Sequence, residues 1–203
     1  MGPDQRNSPE TAPDAPDDDA LMARAAGGDA GAFRILFERW APRVRAFLVR
    51  VLASRAEADD LTQETFVRAW RAAGRYEAGG RFAAWIFRIA GNLARQEVRR
   101  RRVRGWFRGT GGAPDDEEVL ASLPAPAAFD PEGALRDEET RAALARALVR
   151  LPENQRLAVL LRYFEGLAVR DVAAALGKSE HAAESLVARG TAALRKSLGP
   201  LRE

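Results

Sequence analysis

The chain has 203 residues, 46% hydrophobic and 30% charged, which is apolar material for one ordinary domain or two small ones in a water-soluble balance. It holds no cysteine and one histidine, so disulfides, thiolate zinc sites, thiol nucleophiles and histidine-cluster metal sites are excluded. A formal net charge of only +3 hides strong segregation: acids at Asp14, Asp17, Asp18 and Asp19 and again from Asp115 to Glu118, and a dense arginine run from Arg95 to Arg108 that points to a polyanionic partner.

The first residues are acidic and proline-rich, the reverse of a secretory signal's basic-then-apolar order, and residues 1–18 are expected to be a disordered tail. No apolar stretch is long enough to span a bilayer, so no membrane insertion is expected. The absence of cysteine fits a cytoplasmic location.

Past the tail the pattern turns helical. Phe33, Leu36, Phe37 and Trp40 fall at i, i+3, i+4, i+7, and Val44, Phe47, Leu48 and Val51 continue the same face. Pro42 lies between the two sets and predicts a kink or break. A second helix is expected from about Glu57 to Gly74, with Ala58, Leu61, Thr65, Ala69 and Ala72 inward and Asp59, Asp60, Gln63 and Glu64 outward. A third is expected from about Arg81 to Arg104, burying Phe82, Ile86, Ile89, Ala90 and Leu93. Its apolar stripe fades beyond Leu93, so its arginine-rich end is expected to project past the core.

Arg95, Arg99 and Arg102 share one face of that helix, with Arg88 and Asn92 close to it, and Arg100, Arg101 and Arg104 widen the basic surface. The planar guanidinium fork suits phosphate oxygens. Trp85 and Phe87 lie off the middle of the stripe, and Tyr76 is in the preceding loop. Rings beside arginines stack unpaired bases; equally, Trp85 packs into the domain core and Phe87 on an adjoining helix.

Residues 105–131 lack periodicity and are rich in glycine, proline and acids, the composition of a linker. Helices resume near Pro131, marked by Leu144, Leu148 and Leu151, then by Leu157, Leu160, Leu161 and Phe164. Two further helices, Val169–Leu176 and Glu180–Ser197, are joined by the very short turn Gly177-Lys178-Ser179. Gly177 suits a left-handed cap, Ser179 an N-cap, and Ala173 a close helix crossing. This is helix-turn-helix chemistry, with an ordinary helical hairpin as the plainer alternative. Lys178, Ser179, His181, Ala182 and Ser185 are the base-facing candidates and Arg189 a phosphate contact. No strand pattern occurs, so the class is all-α: two small helical domains, 19–104 and 132–203, joined by a flexible linker.

Two segments carry a family resemblance. The stretch DDLTQETFVRAW from Asp59 to Trp70, followed by FAAWIFRIAGNL from Phe82 to Leu93, resembles region 2 of the extracytoplasmic-function (ECF) subfamily of sigma-70 factors of bacterial RNA polymerase. LPENQR from Leu151 to Arg156, then LLRYFEGL from Leu160 to Leu167 and the helix-turn-helix, resembles their region 4.

The resemblance implies a polymerase subunit without catalysis or cofactor. Asp59, Asp60, Gln63 and Glu64 would dock on the clamp helices of the beta-prime subunit. Arg75, Tyr76, Arg81, Trp85, Arg88, Asn92, Arg95, Arg99 and Arg102 would read the downstream promoter element as melted DNA. Lys178, Ser179, His181, Ala182, Ser185 and Arg189 would read the upstream element as duplex. Leu157 and Leu161 would pack on the beta flap or belong to the internal core, the linker's acids would lie near the RNA exit path, and an anti-sigma factor would mask the protein.

The sequence departs from the family pattern at Glu184 and Leu186, where lysine and arginine are commoner, and at Gly91 and Gln96, where arginine and aspartate are. The alternatives are a free-standing helix-turn-helix regulator, which leaves the arginine-aromatic helix unexplained, and a magnesium nuclease built on Asp59, Asp60 and Glu64, which lacks a second acidic cluster.

Overall fold

Three side chains start three of the helices. In the computed structural model, which describes residues 17–108 and 138–198 (the side chains of 102, 104–108 and 138–141 excepted), Asp29 Oδ1 accepts from Ala32 N at 2.9 Å, Ser54 Oγ from Glu57 N at 3.4 Å and Ser179 Oγ from Ala182 N at 3.3 Å. Each satisfies a backbone donor that a helix start leaves without an intrahelical partner. The first helices are α1 (Asp18–Ala26), α2 (Ala30–Leu52), α3 (Arg55–Ala72) and, after a 3-10 turn at Ala73–Arg75, α4 (Phe82–Arg108). The second group is α5 (Glu138–Arg150), α6 (Glu153–Val159) running into a π turn at Leu160–Phe164, α7 (Val169–Leu176) and α8 (Glu180–Leu198). No strand occurs among the described residues, as the all-α reading expects. No described helix is long and apolar enough to cross a membrane.

Several boundaries differ from the sequence reading. The helical region begins at Asp18, so Asp17 and Asp18, assigned above to a disordered tail, are a helix cap and a first turn. The remainder of that tail lies outside the described residues. Residues 105–108, expected as linker, extend α4; the rest of the linker and the start of the second domain, residues 109–137, lie outside the description. Pro42 breaks nothing: α2 runs through it. Proline removes the hydrogen bond to the residue four back, here Glu38, and both residues lie on the exposed side, where water can take the carbonyl.

The first group is built around an aromatic stripe. Trp40 and Phe47 of α2 face Phe82, Ile86 and Phe87 of α4, all buried, while Phe66 and Ala69 of α3 and Leu21 and Met22 of α1 close the sides. In the second group Leu157 and Leu161 pack with Val172, Leu176, Ala183 and Leu194. Both helical groups expected from the sequence are present, and most of their buried residues form one continuous cluster, with α7 lying against α4.

Polar contacts reinforce this junction. Arg43 of α2 donates to the Glu165 carbonyl at 2.9 Å and to its Oε2 at 3.3 Å, and the buried Arg50 guanidinium lies 4.8 Å from the centre of the Phe164 ring. The apolar faces left over on each small group are thus covered by the other.

Within the second group, α8 crosses α6 at Gly190. A methyl group placed there would meet Val159 Cγ2 at 2.6 Å and the Gln155 carbonyl oxygen at 3.2 Å. Valine is stiff at this branch and cannot swing away. Gly190→Ala should therefore lower stability by about 1–3 kcal/mol through overpacking, even though alanine is the better helix former by about 0.5–1 kcal/mol. Urea denaturation followed by circular dichroism checks this; a variant as stable as the parent would mean the two helices do not meet so closely.

Candidate polymerase and nucleic-acid interfaces

The outer face of α3 carries the four polar residues singled out above. Asp60 and Gln63 are exposed. Asp59 is paired with Arg45 of α2, and Glu64 accepts from Arg68 one turn on, at 2.7 Å. Both pairs are solvent-accessible and of the kind worth about 0–1 kcal/mol, so an incoming partner can exchange them cheaply.

Beside the acids lies an apolar patch that the sequence reading did not single out. Phe37, expected inside, is 40% exposed; Val67 is 42% and Trp70 38% exposed. Phe33 meets Trp70 edge-on at 5.1 Å, and Phe37 meets Phe66 at 4.8 Å, which holds the patch in shape. The signal was available: Val67 and Trp70 follow Asp60, Gln63 and Glu64 at helical spacing, on the same outward face.

The second surface comprises the loop before α4 and the outward side of α4. Tyr76 follows the 3-10 turn in extended conformation, and Gly80 has φ 67°, a left-handed conformation that glycine adopts without strain. Asp19 of α1 reaches across to this loop: it accepts from the Tyr76 hydroxyl through Oδ1, and from Gly79 N at 2.6 Å and Gly80 N at 2.7 Å through Oδ2. Burial alone would raise the Asp19 carboxyl, but the bonds from Gly80, Tyr76 and Gly79 outweigh it and hold it below the usual carboxylate range. Burial and then the bond to Asp19 push the Tyr76 phenol up, so it stays a donor at neutral pH.

The Tyr76 ring meets Trp85 at 5.1 Å, edge to face. Trp85 is half-buried, also packing on Phe82 at 5.9 Å. Phe87 is a core residue, 6.2 Å from Trp40 and 5.2 Å from Phe47, and does not belong to this surface.

Arg75 and Arg81 are exposed at the two ends of the loop. Arg88, Asn92, Arg95 and Arg99 continue from it at spacings of four, three and four, forming one ridge of about 16 Å along α4 at 1.5 Å per residue. Arg95 donates to the side-chain Oδ1 of Asn92, and Arg95 is half-buried where the others are exposed.

The arginine run is not uniformly a free basic surface. Arg101 donates to the Leu52 carbonyl at 2.7 Å and pairs with Glu57, tying α4 to the end of α2 and the start of α3. Arg100 donates to the buried carboxylate of Glu97 at 2.9 Å. Arg101 therefore belongs to the fold and not to the widened basic face expected for it; the α4 end is partly docked and does not simply leave the core. The side chains of Arg102 and Arg104 lie outside the described residues.

The third surface is the helix-turn-helix. Gly177 takes φ 64°, with Gly177 N donating to Ala174 O at 3.2 Å and Lys178 N to Ala173 O at 2.9 Å. This pair of bonds closes α7 and turns the chain straight into α8. Lys178, Ser179, His181 and Arg189 are exposed, and Ala182 and Ser185 half-buried. Ser179 already spends its oxygen on the cap, and Arg189 donates to the Ser185 carbonyl at 3.1 Å. Leu186 is buried, so its departure from the family pattern is a core choice, whereas Glu184 is exposed and places a negative charge among the candidate DNA contacts. Among the described residues no group of histidine and acidic side chains is arranged to hold a metal.

These assignments separate Trp85 from Phe87. Phe87→Ala should cost about 3–5 kcal/mol of stability, the range for emptying an aromatic core site, and Trp85→Ala clearly less. Paired denaturation curves test it; equal losses would place Trp85 in the core too.

Each half of the chain matches a known family. Residues 36–104 match the family model described as Sigma-70 region 2, and residues 141–194 that described as Sigma-70, region 4. The RNA polymerase sigma factor CarQ of Myxococcus xanthus is 38% identical over 180 residues, spanning 89% of this chain and 97% of that protein. The ECF RNA polymerase sigma factor BldN of Streptomyces coelicolor is 35% identical over 88% of this chain and 64% of its own length. Among solved structures, the sigma factor RpoE in complex with the anti-sigma factor NepR from Bartonella quintana superposes with a TM-score of 0.67 at 26% identity, covering 82% of this chain and 96% of that one. With both halves of the chain matched in order and nearly the whole of CarQ covered, the chain belongs to the sigma-70 family of RNA polymerase sigma factors, in its extracytoplasmic-function group.

Proposed function

We propose that the three surfaces divide the work of transcription initiation. The α3 face, Asp59, Asp60, Gln63 and Glu64 together with Phe37, Val67 and Trp70, docks on the beta-prime clamp helices of core polymerase. The loop after α3 and the α4 ridge receive the downstream promoter element as separated strands. The helix-turn-helix enters the major groove of the upstream element, and the second helical group also contacts the beta flap. The chain works in the cytoplasm, performs no catalysis and needs no cofactor.

One observation carries the reading. Arg88, Asn92 and Arg99 are exposed along one ridge of α4 that starts next to the half-buried Tyr76–Trp85 pair, with Arg75 and Arg81 exposed in the loop before it, on the same chain as a separately capped helix-turn-helix. Arginines alone would suit any polyanion. Arginines beside an aromatic ledge suit unpaired bases, whose stacking is worth about 1–3 kcal/mol each. Extruding a base costs a few kcal/mol, so such a ledge is of the right size to offset it. Melting is then driven by binding energy for open strands, with nucleotide chemistry left to the polymerase. The structural likeness to RpoE held by NepR supports an anti-sigma factor as the masking partner.

The ridge is tested with Arg88→Ala and Arg99→Ala together, in holoenzyme titrated against promoter DNA at several salt concentrations. Each lost phosphate contact should weaken binding and reduce the slope of log affinity against log salt by roughly 0.7–0.9. An unchanged slope would mean that these arginines face only water.

The docking face is tested with Phe37→Ala and Trp70→Ala. Their large exposed areas predict weaker binding to core polymerase, about tenfold or more for an aromatic anchor. Pull-down with purified core at graded concentrations reads this; undiminished binding by both would remove the patch from the interface.

A further inference from the structure

We propose that Asp19 is a positioning residue for recognition of the downstream promoter element: from α1 it holds the loop that presents Tyr76 and, through Tyr76, Trp85. The proposal rests on the reading that this loop and the start of α4 receive unpaired bases, and it adds a residue outside the segment matched to region 2, which begins at residue 36.

Three donors of one loop converge on a single carboxylate from another helix. Gly79 N and Gly80 N donate to one oxygen and the Tyr76 hydroxyl to the other. Among the described residues, no backbone-to-backbone hydrogen bond ties residues 77–80; the last before them is Tyr76 N to Ala73 O, and the next is Trp85 N to Arg81 O. Asp19 is thus the polar anchor of that stretch. The glycines leave its backbone free to adopt many conformations, and without an anchor the ordering entropy falls due when a base arrives.

The anchor is itself fixed. Leu21 and Met22 on the same helix are fully buried, and the neighbouring Asp18 pairs with Arg39 and accepts from Trp40 Nε1 at 3.0 Å. A carboxylate held this way transmits the position of the core to an exposed loop. It sets the phenol of Tyr76, and the Tyr76 ring then stands edge-on to Trp85 at 5.1 Å. Asparagine cannot substitute. It offers one carbonyl oxygen where three donors need two, and its amide would point N–H groups at N–H or O–H groups.

The test uses holoenzyme reconstituted from core polymerase with the parent chain, Asp19→Asn or Tyr76→Phe. Each binds forked promoter DNA in which the unpaired bases of the downstream element are randomised, and the bound pool is sequenced. For Asp19→Asn we expect discrimination between best and worst bases at the recognised downstream positions to fall about tenfold, with affinity for core and discrimination at the upstream element held within about twofold. Tyr76→Phe, which keeps both glycine bonds, should lose less at those positions.

Parent-like discrimination by Asp19→Asn overturns the proposal. So does a loss spread evenly over both elements, which would mark a residue that merely supports folding. If Asp19→Asn does not fold, unchanged downstream discrimination by Tyr76→Phe overturns it. A parent chain indifferent to the unpaired bases sinks the underlying reading and this proposal with it, and is recognised without any variant.

Discussion

Phe87 sits between Trp40 and Phe47, and that wedge decides which side of α4 looks outward. A helix has one angular position once a large ring is locked into a close-packed core. With Phe87 inside, Ile86 and Ala90 are buried as well, and Arg88, Asn92 and Arg99 have only solvent to face. The basic ridge is a by-product of the aromatic core in geometry, though not in chemistry. Arg101 and Glu57 then tie the same helix to α3 further along.

The junction between the two helical groups includes buried charged groups. Glu165 is buried at the end of the π turn, and burial pushes its carboxyl up while Arg43 and Arg50 pull it down. Burial likewise lowers Arg50, and Glu165 offsets this. A buried carboxylate with two guanidinium neighbours contributes little net energy once desolvation is counted, but it strongly disfavours any arrangement that leaves one partner alone. Such a contact specifies how the groups meet more than how tightly. The π turn supplies the geometry: Glu165 N donates to Leu160 O, five residues back, at 3.1 Å, and that turn carries Phe164 to Arg50.

Much of this was legible from residues alone because it depends on local chemistry. The i, i+3, i+4, i+7 spacing in α2 and α6 needs no tertiary information, nor do Gly177 and Ser179, whose roles are set within five residues of backbone. What escaped is what depends on distant partners. Asp18 read as part of a disordered tail, and Asp19 was given no role, because their acceptor roles involve Arg39, Trp40 and the Tyr76–Gly80 loop, 21 to 61 residues away. Arg101 read as basic surface because nothing near it in the chain announces the Leu52 carbonyl. Phe37 read as core because period alone cannot say how wide a stripe the neighbours will cover.

The placement of the carboxylate on α1 also bears on where this protein can be cut. A fragment trimmed to the segment that relatives share most visibly, starting at residue 36, would retain the arginine ridge, the tryptophan and both loop glycines. It would nonetheless lack Asp19, the acceptor for both loop glycines, along with the acceptor for the Trp40 indole. Such a piece would keep the side chains proposed to meet open DNA and lose the one proposed to hold their loop.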